Sequence, residues 1–181
     1  MRTITVEPST EIIGATVLSL VQNMTAADFA PLLSKYGFDK IDPDKWYPLQ
    51  DFVDLLAELT QHPKLTLSLV AIGMSIAEVA PMPPELVNAP FSKLVEGWNE
   101  HYHASTRNGE VGDKTTIKVA DRHYKIVHDQ TIMPDDLEYG VLYGFAQRFL
   151  PPNTQFDVWF DEDVPRMDEG GDQTILHVSW D

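Results

Sequence analysis

Apolar residues recur at helical spacing through the first hundred positions and alternate from Thr115 onward, so the pattern predicts a helical half followed by a sheet. After the cap candidates Ser9 and Thr10, the residues Ile12, Ile13, Val17, Leu20, Val21 and Met24 predict a first helix. Thr25, three residues before Asp28, makes a variant of the capping box, and Phe29, Leu32, Leu33 and Tyr36 carry a second helix to a left-handed Gly37. Residues 38–48 contain Asp42-Pro43, Trp46-Tyr47 and Pro48, which predict an ordered loop with Trp46 docked into the core. A third helix follows from Leu49, Phe52, Val53, Leu56 and Leu59 and ends near His62-Pro63. Residues 65–80 are apolar almost all round, which predicts a central buried helix stopped by Pro81, Pro83 and Pro84. Phe91, Leu94, Val95, Trp98 and Tyr102 predict one fifth helix reaching Ser105, with a turn at Asn108-Gly109 and Gly112.

In the second half, Ile117 and Val119 alternate with polar neighbours. Beyond a turn at Asp121-Arg122, Tyr124, Ile126 and Val127 complete a hairpin. Pro134-Asp135-Asp136 opens a helix over 135–150 with the stripe Leu137, Val141, Leu142, Phe145 and Phe149. Phe156, Val158 and Phe160, then Thr174, Leu176, Val178 and Trp180, predict a second hairpin across the acidic loop 161–172. The expected fold is α+β, a helical N-terminal half packed on a four-stranded antiparallel sheet of order β-β-α-β-β. A single domain over 1–181 is expected, with 1–107 helical and 108–181 forming the ββαββ part.

Composition narrows the function classes. Thirteen Lys and Arg against 28 Asp and Glu give a formal charge of −15, which repels phosphate backbones and anionic membranes, so neither nucleic acid nor membrane is an expected partner. The absence of cysteine excludes disulfides, thiolate catalysis and cysteine-ligated metals. No leader or spanning run is visible, and a cytoplasmic location is expected.

The candidate chemistry is sparse. His101 and His103 stand two apart on a helix, so they cannot share a metal, and they read as partly exposed helix-end histidines. The acidic loop from Asp161 has Arg166 where a calcium loop needs glycine. Gly140 and Gly144, four apart, predict close backbone packing on the sheet or on a partner. No phosphate loop, nucleophile elbow or zinc-protease helix occurs, so no catalytic residue and no metal site is expected. Residues 101–128 hold five basic side chains, four histidines and three acids, against two basic and twelve acidic in 129–181. That contrast predicts a cationic lip on the first hairpin.

The run Tyr139-Gly140-Val141-Leu142-Tyr143-Gly144-Phe145-Ala146, then Phe149, Gly170-Gly171-Asp172 and His177-Val178-Ser179-Trp180, resembles the 4-vinyl reductase domain family and the related haem-NO-binding (H-NOX) sensors over about the last 70 residues. The resemblance implies a small-molecule-binding regulatory domain that commonly dimerises. Vinyl-reductase-like loops carry cysteines where this chain has Val164-Pro165-Arg166-Met167 and Gln173-Thr174. The H-NOX propionate signature Tyr-x-Ser-x-Arg is reduced to Tyr124-Lys125-Ile126-Val127-His128, and no histidine lies between His62 and His101, where the resemblance places an iron ligand. No cofactor is therefore expected, haem included.

The leading expectation is a non-enzymatic sensory domain holding a small apolar or aromatic ligand between helices and sheet. Trp98, Tyr102, Tyr124, Tyr143 and Phe145 are the expected lining, and His103 or Arg107 would meet a polar head group. A homodimer or a signalling-protein partner is expected. The alternatives are a dimeric interaction adaptor without ligand and a haem-based gas sensor, in that order.

Overall fold

The computed structural model describes residues 3–22, 26–61, 69–82, 84 and 86–181. Strand β1 (Glu11–Ile13) leads directly into helix α1 (Gly14–Val21), followed by α2 (Ala26–Lys35), β2 (Trp46–Pro48), α3 (Leu49–Gln61) and α4 (Leu69–Val79). Helices α5 (Phe91–Glu96) and α6 (Trp98–Ala104) lead to the short β3 (Thr106–Arg107). The C-terminal part runs β4 (Asp113–Ala120), β5 (His123–Asp129), α7 (Asp135–Phe149), β6 (Phe156–Phe160) and β7 (Gln173–Trp180). The α+β class and the ββαββ order are those the periodicity predicts. The four strands form an antiparallel sheet in the order β4-β5-β7-β6, and β1 joins β2 and β3 in a second, three-stranded sheet.

That second sheet explains the main departures. Ile12 and Ile13 do not begin a helix; Ile12 pairs with Tyr47 on one side and Thr106 on the other. Two adjacent β-branched residues suit a strand as well as a helix entry. Trp46 is not in the core. It sits half-buried on the edge strand β2, with the Arg107 guanidinium 4.3 Å over its ring. Helix α2 ends as expected, with Gly37 at φ 74° and the Phe38 N–H donating to the Leu33 carbonyl at 2.8 Å. Met24, the Thr25 cap, His62-Pro63, Pro83 and the start of the fourth helix lie outside the described residues.

Helix α4 is only partly buried: Ile72, Gly73 and Ala77 are enclosed, whereas Val79 is 43% exposed. Its packing is against α7. A Cβ at Gly140 would stand 2.1 Å from the Val70 carbonyl oxygen, and one at Gly73 would stand 2.2 Å from the Leu137 carbonyl oxygen. Gly144 rests on Met74 and Ala77. The close approach expected of Gly140 and Gly144 is thus made to a helix of the same chain, not to the sheet or a partner. Arg148 Nη1 donates to the Ala77 and Ala80 carbonyls at 2.8 and 2.9 Å, satisfying the C-terminal end of α4.

Two cores result. One gathers α1, α2, α3 and β1 around Ile12, Leu20, Phe52 and Leu56. The other packs α5, α6 and α7 on the inner sheet face through Trp98, Tyr124, Leu142, Leu176 and Val178. On the outer face, Ile117 and Val119 of edge strand β4 are 41% and 50% exposed. The β4–β5 register shifts between Lys118 and Ala120.

The glycine contact predicts that Gly140→Ala lowers stability by about 1–3 kcal/mol through overpacking, although alanine is the better helix former. A shift of the urea midpoint to lower concentration checks this; an unchanged or raised midpoint would show that α4 yields without cost.

Candidate functional site

A cavity of about 310 Å³ opens between α1, α4, α6 and α7. Its walls are mainly apolar, with Ile76, Leu94, Trp98, Leu137, Val141 and Phe145 contributing side chains. The helices enclose it, and among the described residues the four-stranded sheet contributes only Lys114. The cavity thus lies within the helical layer more than between helices and sheet.

The expected single fifth helix is broken at Gly97 (φ −93°, ψ 18°), which ends α5 and starts α6. The break gives room to His101, one turn later: a Cβ at position 97 would lie 3.2 Å from His101 Nε2. His101 lines the cavity, and its Nε2 is buried without a hydrogen-bond partner. An imidazole nitrogen removed from water and left unpaired is costly unless something binds it.

Tyr102 holds α6 in place. Its hydroxyl donates to the Val111 carbonyl at 2.6 Å and accepts the Ile132 N–H at 3.2 Å. The Asn99 side-chain oxygen accepts the Lys114 N–H at 2.7 Å, joining α6 to β4.

The polar feature of the cavity is an ion pair. Lys114 Nζ lies 2.7 Å from Glu138 Oε1, with both side chains only 5% exposed, and 4.0 Å from the centre of the Tyr102 ring. Burial pulls the Lys114 ammonium below its ordinary range, with the Glu138 charge and hydrogen bond opposing.

Of the residues expected to bind ligand, Trp98, Tyr102 and Phe145 lie on the cavity wall, with Trp98 and Phe145 edge to face at 5.7 Å. The other four lie elsewhere. His103, two residues from His101, turns outward to Asp113 Oδ1 at 3.0 Å. Arg107 is held by Glu11 Oε2 at 2.6 Å through the β1–β3 ladder. Tyr124 stacks on Trp180 at 5.7 Å and donates its hydroxyl to Glu96. Tyr143 faces Tyr139 and Phe156, on the side of α7 turned toward β6. Of the five cations counted on the expected lip, three are engaged in ion pairs, Lys118 with Asp121, Arg107 with Glu11 and Lys114 with Glu138.

Sequence reasoning missed His101, Lys114 and Glu138. The signal for His101 was its position: Leu94, Trp98 and His101 form one stripe at i, i+4 and i+7, so the imidazole continues an apolar face. A second cluster lies on the outer sheet face, where His123 Nε2 is 3.1 Å from His177 Nδ1 and His177 Nε2 is 3.1 Å from Asp161 Oδ2. Trp159 stacks on His177 at 5.0 Å.

No protein-family model matches the chain, and no curated protein matches it by sequence. Solved structures do. An H-NOX protein from Shewanella oneidensis in the Fe(II)NO ligation state aligns with 94% of this chain and 99% of its own at TM-score 0.70 and 16% identity. An oxygen-binding H-NOX domain related to soluble guanylate cyclases, in its oxygen complex, aligns at TM-score 0.65 and 12% identity over 92% of each chain. A structure described for haem redox potential modulated by protein-induced porphyrin distortion gives the same TM-score of 0.65, 12% identity and 92% coverage of both chains.

The chain therefore has the H-NOX fold. The expectation of a domain without cofactor, haem included, is overturned, because its fold neighbours are haem and Fe(II) domains. No histidine lies between His62 and His101, and His101 on α6 is itself a residue of the cavity wall. Its donor set fits haem iron on one side: an unpaired imidazole nitrogen in an apolar cavity. Among the described residues no helix is long and apolar enough to cross a membrane.

Two measurements follow. Lys114→Met, which strands a buried carboxylate, lowers stability by about 3–5 kcal/mol, whereas K114M/E138L returns it to the wild-type level or above. Urea denaturation of the two variants checks the pair, and equal loss in both would contradict it.

His123 is held below the 6.5 of an unperturbed imidazole by burial and by the His177 charge. The unfolded chain therefore takes up a proton that the folded one resists, and stability falls as pH drops through 6.5 toward the lowered folded value. His123→Gln flattens this slope in melts between about pH 7 and 5; an unchanged slope would assign it to other groups.

Proposed function

We propose that the chain is a non-catalytic sensory domain that binds haem in the cavity beside α6, where His101 Nε2 would hold the iron. The observation that carries the reading is the orphaned, buried Nε2 of His101 inside a fold shared with haem-bearing domains. When bound, haem supplies an iron site for a diatomic gas.

The chain's own residues prepare for such a ligand. Gly97 leaves the space in which the imidazole sits, and the Tyr102 hydroxyl fixes the helix that carries it. Trp98, Leu137, Val141 and Phe145 give the cavity apolar walls suited to a porphyrin face. A sensor also needs a recipient, and the reading includes a second copy of the chain or a signalling protein in that role.

Titration of the purified protein with haem tests the proposal. A saturable Soret band at one haem per chain is expected. His101→Ala should weaken it by at least the roughly 10–100-fold that loss of even an outer-shell partner costs a metal site. His103→Ala, whose imidazole points outward to Asp113, should leave it unchanged. Absence of the band in the wild type, or equal effects of the two substitutions, would overturn the reading.

A further inference from the structure

Haem carries two carboxylates, and an apolar cavity accepts an anion only where a counter-charge awaits it. Among the described lining residues Lys114 is the only lysine or arginine. Its ammonium has three donors; one meets Glu138 and the group lies over the face of Tyr102. The other residues expected to supply a cation, Arg107 and His103, are engaged outside the cavity.

From these observations, and resting on the haem-binding reading above, we infer that the Lys114–Glu138 pair makes the cavity selective for a planar apolar ligand bearing a carboxylate, which shares or takes over the Lys114 ammonium from Glu138. The ligand carboxylate and Glu138 then compete for the one buried ammonium, so the strength of the pair sets how tightly a carboxylate is held. The other titratable groups facing the pair are His101 and Tyr102 from α6 and His128, opposite Lys114 in the β4–β5 ladder. Asp135, one turn before Glu138 on α7, is engaged by Thr174 and the Asp168 N–H.

The test compares iron protoporphyrin IX with its dimethyl ester, each titrated into the full chain and followed by the Soret band. The wild type is expected to prefer the free acid by about tenfold to hundredfold, the scale of one charged hydrogen bond. Glu138→Gln, which removes the competing carboxylate and leaves the ammonium in place, should tighten the free acid and leave the ester unchanged. K114M/E138L, which keeps the cavity filled without stranding a charge, should bind both porphyrins as the wild type binds the ester. Equal affinities for acid and ester in the wild type, or a preference that persists in K114M/E138L, overturns this inference and leaves haem binding intact. Failure of the wild type to bind either porphyrin overturns both.

Discussion

The approach of α4 to α7 at backbone distance is the contact from which the rest of the arrangement follows. Gly73, Gly140 and Gly144 let carbonyls of one helix lie where side chains of the other would ordinarily stand. A helix pair this close cannot rotate without collision, so the faces of α7 are assigned. One carries Leu137, Glu138, Val141 and Phe145 to the cavity, and another carries Tyr139 and Tyr143 to β6. The cavity exists because the third face is already committed to α4.

The contents of that cavity follow from which elements reach it. Helix α6, cut short at Gly97 and tied down by Tyr102, offers one imidazole nitrogen with no protein partner. Strand β4 and helix α7 offer opposite charges that satisfy each other. The interior thus combines one unpartnered imidazole nitrogen with one internally compensated pair. It retains polar groups at defined points.

Much of this was legible in the chain. The strands β5 and β7 alternate cleanly because each lays one face against the helices, and α7 is marked by its apolar stripe although it is enclosed on nearly every side. The start of α1 was misread because Ile12-Ile13 fits a buried strand as well as a helix, and the three-residue strands of the small sheet are too short to show a period. The break at Gly97 was hidden because one glycine within an apolar helical stripe reads as tolerated. His101 was overlooked through its neighbour: paired with His103 it looked like a helix end, while its alignment with Leu94 and Trp98 put it inside. Lys114 and Glu138 lie 24 residues apart, and local sequence does not show that they meet.

The register shift near the end of β4 has a consequence for how this protein behaves in a crowded solution. An edge strand with exposed Ile117 and Val119 is a template onto which another extended chain could add. The irregularity between Lys118 and Ala120 interrupts the row of free amide and carbonyl groups, and Lys118 places a charge beside it. Strand-by-strand polymerisation along that edge would have to bury a lysine and bridge a broken ladder, so the fold resists aggregation at a margin where apolar side chains lie open.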